Sequence, residues 1–295
     1  MRVDVHTHMW SDETVPDFIR TYAASRGAGS SVESGADSLL RSMDACGIDA
    51  SVAVALIPEP DPEDDLVSEI NDYVRVQVAG HSDRLAGFCA VNPRSPKAVD
   101  DLRRHLDTWA QGLKFHGAMQ EMSVDSQSLY PIYEVMAAYG RPVLFHSGDI
   151  GVLPTKNRYT RAELFDAIAC DFPSMPMILG HACRIEWSAV AGLLRKHRNV
   201  YAEISSVIGR DQATQARPLG NLLVAIKEWA GSLENVLFGS DAPLYSQADT
   251  QQNIDRLLDS PSLWESVLSA DEILAVRDTN SGRFATAHNL FTTSH

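Results

Sequence analysis

The chain has 295 residues, of which 39 are acidic and 25 are basic, and its formal net charge is −14. Hydrophobic residues make up 44% and charged residues 22%, as in globular proteins with a large buried core. The acidic balance argues against nucleic-acid binding, which needs a basic face, and no run of about 18 apolar residues predicts a membrane span.

Cysteine usage gives neither a metal motif nor a redox motif. The four cysteines, Cys46, Cys89, Cys170 and Cys183, are scattered and form no Cys-x-x-Cys pair. Reduced thiols are the expected state, and the strand-like first residues contain no apolar leader. These features together predict a cytoplasmic protein.

Short apolar runs alternate with helical patterns along the whole chain. The first run ends at His8, and in it Val3 and Val5 alternate with polar residues as they do in a strand. Seven further apolar segments are bounded by Gly, Pro, Asn or Ser, as buried parallel strands are: residues 51–57, 85–91, 112–116, 142–146, 177–181, 200–205 and 236–241. Amphipathic helical spacing separates these segments.

Eight strands, each followed by helical sequence, predict an α/β fold: a (β/α)8 TIM barrel in a single domain over residues 1–295. An open doubly wound sheet is the alternative, but it would usually carry a Gly-rich phosphate loop after the first strand, and none is there. Residues 25–38 are rich in Gly, Ser and Ala, so we expect a loop or flap insertion over residues 9–38.

Polar residues collect where the predicted strands end. Five of the ten histidines lie there, with a lysine and an aspartate: His6, His8, Lys114, His116, His146, His181 and Asp241. The carboxyl ends of barrel strands converge on a common axis, which is where active sites form. His6 and His8 are two residues apart on a strand and therefore project together as half of a metal site. The same alternation predicts Asp4 on their face, in a supporting role.

Imidazoles and a carboxylate are ligands that suit Zn²⁺, Mn²⁺ or Fe²⁺. The absence of cysteine from this group disfavours a closed structural zinc site. Three histidines and one aspartate would leave a coordination position open for water, whose pKa a metal lowers toward neutral. On the strand of residues 200–205, alternation predicts that Tyr201 and Glu203 point into the barrel.

These residues resemble the amidohydrolase superfamily, and within it the amidohydrolase 2 branch, which contains metal-dependent hydrolases and the aminocarboxymuconate-semialdehyde decarboxylase group. The matching segments are residues 3–8, 112–116, 145–148, 179–181 and 238–243, and residues 273–280 resemble the family's final helix. The resemblance implies a divalent metal, with Zn²⁺ expected first and Mn²⁺ or Fe²⁺ as alternatives. It implies the ligands His6, His8, His146 and Asp241.

The same resemblance implies catalytic roles for His181, beside the metal-bound water, and for Asp241, as the acceptor of its proton. Lys114 has three interpretations: a carbamylated bridge between two metals, a free lysine that binds an anionic group, or a salt bridge to Glu203 or Asp4. We favour one metal and a free Lys114, with His116 beside it. Relatives often have a second glycine after the sixth-strand histidine, whereas here Arg184 follows Ala182 and Cys183, either to contact the substrate or to lie on the surface.

The leading functional prediction is a metal-dependent hydrolase, in which a metal-activated water attacks an amide, lactone or ester carbonyl of a small, carboxylate-bearing substrate. The alternative is a metal-dependent non-oxidative decarboxylase of an aromatic or unsaturated carboxylic acid. A non-catalytic barrel that binds metal for structure is the third hypothesis. A small-molecule substrate is the expected partner, without nucleic acid or membrane, and the family resemblance leaves a homo-oligomer open.

Overall fold

The structure is a computed structural model that describes residues 1–25, 34–151, 153–209, 211 and 214–292. Eight parallel strands follow one another in chain order around one sheet. They are β1 (Val3–His8), β2 (Ala50–Val54), β3 (Leu85–Cys89), β4 (Ala110–Phe115), β5 (Val143–His146), β6 (Met177–Gly180), β7 (Val200–Glu203) and β8 (Val236–Leu237). Each lies within or overlaps a segment predicted from the apolar pattern.

The sheet nearly closes into a barrel where its last strand meets its first. The amide of Val5 donates to the carbonyl of Phe238 at 3.0 Å, and the amide of Asp241 donates to the carbonyl of His6 at 2.8 Å. Thr7 and Ala242 form a further parallel bridge. The predicted single-domain TIM barrel is confirmed.

Helices surround the barrel. They are α1 (Asp17–Ser25), α2 (Ala36–Cys46), α3 (Asp64–Ala79), α4 (Ala98–Thr108), α5 (Tyr130–Tyr139), α6 (Phe165–Asp171), α7 (Trp187–Lys196), α8 (Arg217–Ala230), α9 (Gln247–Leu258), α10 (Ala270–Asp278) and α11 (Asn280–Ala287). Local signals set their ends: α2 stops at Gly47 in the left-handed conformation, and Ser246 caps α9 by accepting from the amide of Asp249. None of the described helices combines the length and apolar character that crossing a membrane requires.

Two buried apolar layers hold the strands in place. The layer between strands and helices contains Val200, Ala202 and Ile204 of the β7 segment. The layer inside the barrel includes Phe88 and Leu144, and Tyr201 packs against it. The alternation predicted for this strand is therefore confirmed, and it turns polar side chains of the same segment toward the barrel axis.

Asp4 departs from the predicted face. Strand β1 changes its register against β2 between Asp4 and Thr7. Val5 joins the inner apolar layer, whereas the Asp4 carboxylate accepts from Nε2 of Gln247, at 2.9 Å, on the outer helix α9. The prediction that Asp4 shares the face of His6 and His8 was wrong because strict alternation does not survive an irregularity in the strand.

The segment that follows β1 includes helix α1. Trp10 and Ser34 pair as antiparallel strands do, with two backbone hydrogen bonds of 3.1 Å, so the two ends of this segment meet. Residues 26–33 of the expected insertion over residues 9–38 lie outside the described residues. The insertion itself stays a prediction.

Gly239 offers a test of how closely the barrel interior is packed. A Cβ on this residue would lie 2.3 Å from Oε2 of Glu203 and 3.2 Å from Cβ of His6. We expect Gly239→Ala to lower the free energy of unfolding by about 1–3 kcal/mol, because the buried carboxylate must move. Denaturant unfolding followed by circular dichroism measures this change.

Gly192→Ala is the matched control, because Gly192 lies in α7 and an added Cβ would meet nothing within 4 Å. It should raise the free energy of unfolding by about 0.5–1 kcal/mol. A Gly239→Ala variant that unfolds at the wild-type denaturant concentration would contradict this close packing of Gly239 against Glu203.

Candidate metal centre and active site

Three predicted ligands converge at the carboxyl end of the barrel. Nε2 of His6 lies 3.2 Å from Nε2 of His8, and Nε2 of His8 lies 3.0 Å from Oδ1 of Asp241. Nε2 of His6 and Oδ1 of Asp241 are 3.6 Å apart, so the three atoms form a triangle. An ion with bonds of about 2.0–2.2 Å holds neighbouring ligand atoms about 2.8–3.6 Å apart. All three side chains are buried. Their spacing and chemistry fit a single divalent cation.

Glu203 sets the orientation of His6. Nδ1 of His6 lies 2.9 Å from Oε1 of Glu203, and a proton on Nδ1 makes this a charge-assisted hydrogen bond. Nε2 is then left with a free lone pair that points toward His8 and Asp241. Metal-binding histidines commonly donate their other ring proton to a carboxylate in this way.

The Glu203 carboxylate accepts several hydrogen bonds besides the one from His6. It also accepts from the amide of His181 at 2.7 Å, the amide of Ser205 at 2.7 Å and the hydroxyl of Ser205 at 2.8 Å. Burial raises the pKa of Glu203, and these hydrogen bonds act in the opposite direction. The inward position of Glu203 was predicted, but its role toward His6 was not. The signal available in the sequence was Gly239, which leaves the space that the carboxylate occupies.

Asp241 lies in the left-handed region, with a φ of 66°. Burial alone would raise the pKa of its carboxyl group, but the pKa lies well below the usual range, and the hydrogen bond with His8 is the largest cause of this lowering. Asp241 is therefore ionised, as a metal-binding carboxylate has to be.

His146 stands apart from this group of three. Its ring stacks on that of His116, with centroids 4.1 Å apart and planes 12° apart, and its Nδ1 lies 3.2 Å from Nε2 of His181. Burial lowers the pKa of all three histidines well below the usual value, so they are neutral. The structure brings His146 beside His116 and His181, and its role as a fourth ligand stays a prediction.

Hydrogen bonding determines the tautomers of this pair. The Ser205 hydroxyl donates to Glu203, so it accepts from Nδ1 of His181 at 2.7 Å. Nε2 of the neutral His181 ring then accepts from Nδ1 of His146. Nε2 of His146 is left with a bare lone pair, buried and without a hydrogen-bond partner among the described residues. Such an atom suits a metal or a substrate proton.

Lys114 points at the same lone pair that a metal would use. Its Nζ lies 2.9 Å from Nε2 of His6, and burial lowers its pKa to about 8. The salt bridge to Glu203 or Asp4, one of the three interpretations of Lys114, is replaced by this contact, because Glu203 accepts from other donors and Asp4 faces helix α9. One lone pair serves one partner, so Lys114 and a metal compete for His6.

A cavity of about 250 Å³ opens above these groups. Its lining residues are His8, Phe18, Leu56, Lys114, His116, Met119, His146, Ile150, Gly151, His181, Arg184, Asp241, Leu244 and Tyr245. A cavity of about 150 Å³ holds benzene, so this one has room for a single substituted aromatic ring. Lys114, His116 and Arg184 all line it, as the substrate-contact prediction requires.

Outside this site, the described residues include a larger cavity and a further cluster of side chains of metal-binding type. A larger cavity of about 810 Å³ is lined by Leu85, Trp109 and Leu290 among others, but no His, Cys, Asp or Glu contributes to its walls. Asp166, Cys170 and His197 approach one another on α6 and after α7. There Asp166 already accepts from Lys196 and His197, each at 2.7 Å, which makes this cluster an ion-pair group.

Solved structures of similar fold cover nearly the whole chain. An uncharacterized TIM-barrel protein from Bordetella bronchiseptica has 16% identity and a TM-score of 0.71, with 98% of this chain and 99% of that chain covered. A 2,6-dihydroxybenzoate decarboxylase in complex with 2,6-dihydroxybenzoate has 16% identity and a TM-score of 0.70, with 97% and 98% covered. At such identities the likeness concerns the fold.

A third structure is a dihydroxybenzoic acid decarboxylase from Polaromonas sp. JS666 with bound manganese and the inhibitor 2-nitroresorcinol. It has 15% identity and a TM-score of 0.70, with 98% of this chain and 97% of that chain covered. A comparison with curated proteins gives no match. Residues 3–284 match the profile of the family described as Amidohydrolase, as the sequence resemblance predicted. The chain therefore belongs to the amidohydrolase family.

Proposed function

We propose that the protein is a metal-dependent, non-oxidative decarboxylase of a small aromatic carboxylic acid. The observation that carries this proposal is the combination of the His6, His8 and Asp241 triangle with a cavity of single-ring size that contains two cationic side chains, Lys114 and Arg184. Apolar walls suit a ring, and the cations suit carboxylates.

Two of the similar structures support this choice, because both are decarboxylases of dihydroxybenzoic acids. The hydrolase prediction has only the superfamily resemblance behind it. A metal held purely for structure would not need an open cavity beside it, which speaks against the non-catalytic barrel. Decarboxylation, the alternative at the sequence level, is therefore the better-supported reaction.

One divalent ion is proposed, held by His6, His8 and Asp241, with the free Nε2 of His146 as the fourth protein ligand. Manganese in a similar decarboxylase supports a divalent metal, and Mn²⁺ and Zn²⁺ are both compatible with this donor set. When bound, such an ion supplies a Lewis acid that holds and polarises the oxygens of the acid.

Lys114 gains its role from competition with the metal. Once the His6 lone pair is used in ligation, the ammonium group must turn from Nε2 of His6, 2.9 Å away, toward another acceptor. The cavity that Lys114 lines offers a substrate anion as that acceptor. This arrangement supports a free lysine and one metal over a carbamylated bridge between two metals.

His181 is the proposed proton carrier. To take a proton at Nε2, its ring has to release the hydrogen bond that this atom accepts from Nδ1 of His146, and Ser205 and Glu203 stabilise the resulting imidazolium through Nδ1. The proton passes to the ring carbon that bears the carboxylate. The bond to the carboxylate then breaks, its electron pair returns to the ring, and CO₂ leaves, so that one acid anion and one proton give one arene and one CO₂. Phe18 and Met119 give the cavity apolar walls where this step would take place.

Direct assay for CO₂ tests the proposed reaction. Enzyme loaded with Mn²⁺ or Zn²⁺ should release labelled CO₂ from at least one carboxyl-labelled acid in a panel of hydroxybenzoates that includes 2,6-dihydroxybenzoate. In D₂O the product should gain one deuterium at the former carboxyl position, detected by NMR. Hydrolysis of esters, lactones or amides in a parallel panel, without CO₂ release from any acid, would establish the hydrolase prediction instead.

Replacing the proton carrier should separate chemistry from metal binding. We expect His181→Asn to lower kcat by about 10²–10⁴-fold, the usual contribution of a general acid or base. Metal content by atomic absorption and the melting temperature should stay near wild type. Loss of metal or of folded protein in proportion to the lost activity would assign His181 a structural role.

Glu203→Gln tests the support of His6. An amide accepts less strongly than a carboxylate at Nδ1, so we expect the Mn²⁺ affinity, measured by titration calorimetry, to fall about 10–100-fold. Asp166→Asn on the surface is the control and should keep the wild-type affinity and stoichiometry. A lower stoichiometry in the control would identify the α6 cluster as a second metal site, and an unchanged affinity in Glu203→Gln would refute the positioning role.

A further inference from the structure

Arg184 lies in an unusual turn after strand β6. The four residues from His181 to Arg184 all have positive φ angles, of 62°, 44°, 51° and 52°, although none is a glycine. Each such residue costs conformational free energy, and runs of them persist only where the surroundings hold them. This turn therefore needs an explanation beyond connecting β6 to helix α7.

The neighbouring loop after β5 fixes the turn. The amide of Cys183 donates to Oγ of Ser147 at 3.1 Å. Gly148 lies so close that a Cβ on it would be 2.4 Å from the carbonyl carbon of Cys183. The backbone that carries Arg184 is thereby held against the loop that follows His146, at the edge of the cavity.

The Arg184 side chain lines the cavity, and no carboxylate in the described part of the chain forms an ion pair with it. Its Nε is buried and has no hydrogen-bond partner among the described residues. The carboxylate that lines the cavity, Asp241, is engaged by His8 at 3.0 Å. Besides burial, the charge of Arg184 contributes to lowering the pKa of His146 and His181, which agrees with a guanidinium close to both rings.

We propose that Arg184 binds a second anionic group of the substrate, so that the preferred substrate is an aromatic dicarboxylate rather than a monocarboxylate. This rests on the proposed function for the first carboxylate, which is the group lost as CO₂. A planar guanidinium offers two parallel donors that match the geometry of a carboxylate.

The charge balance of the cavity supports a dianion. Lys114 and Arg184 contribute two positive charges against the single negative charge of Asp241, and a divalent ion would add two more. Partly buried cations are costly unless they are paired. A monocarboxylate at the metal would leave Arg184 without a partner, whereas a second carboxylate across the ring would neutralise it.

Binding, measured without turnover, tests this inference. Titration calorimetry on the Mn²⁺-loaded enzyme would compare benzoate with the three benzenedicarboxylate isomers. We expect at least one isomer to bind about 10–100-fold more tightly than benzoate, which is the usual strength of a charge-assisted pair. Arg184→Gln should remove this preference, so that each dicarboxylate binds no more tightly than benzoate does.

Two further variants show whether a loss of binding comes from the missing guanidinium group or from general damage to the protein. Arg184→Lys keeps the charge without the two-donor geometry and should retain part of the preference. Arg195→Gln, on the exposed face of α7, should bind every ligand as wild type does. Equal binding of benzoate and all dicarboxylates by the wild type, or an equal loss of both in Arg184→Gln, would overturn the proposal. Neither result requires CO₂ release. A failed decarboxylase assay would therefore refute the proposed function without deciding whether Arg184 binds a second carboxylate.

Discussion

The structure depends on one buried carboxylate. Glu203 lies inside the barrel, fully enclosed, and survives there because donors from three strand segments meet it: the ring of His6, the amide of His181 and two groups of Ser205. An isolated ionised group in this place would be very unfavourable. Paired in this way, it fixes the ring of His6, the first proposed ligand, and the backbone of the proposed proton carrier at the same time.

The same carboxylate would link the proposed metal site to the proposed proton transfer. Through Ser205 it orients His181, and through His181 it determines the tautomer of His146, so three imidazoles are organised from one acidic residue. Networks of this kind are rigid when every member is satisfied. The atoms that remain unsatisfied in it, such as Nε2 of His146, are then available to a metal or a substrate.

The strands of the barrel and the group of His6, His8 and Asp241 could be predicted from the sequence, because both follow from the periodicity of apolar residues. Apolar runs gave all eight strands, and the geometry of parallel barrels explains why His6, His8 and Asp241 meet although 233 positions separate the last two. Asp4 was misplaced because the register change in β1 depends on its pairing with β2, which no local pattern records. The roles of Glu203 and the contact of Lys114 rest on distances between remote strands, and only the folded chain provides those.

The seam of the barrel gives the metal site a consequence for stability. Strand β8 has two residues, and hydrogen bonds from the segment after it, including the one from Asp241 to His6, complete the closure against β1. A cation shared by His6, His8 and Asp241 would therefore connect strand β1 to the segment that follows β8, across the seam of the barrel. The free energy of metal binding would then stabilise the closed barrel against unfolding. Opening of the metal-free barrel would begin at this seam.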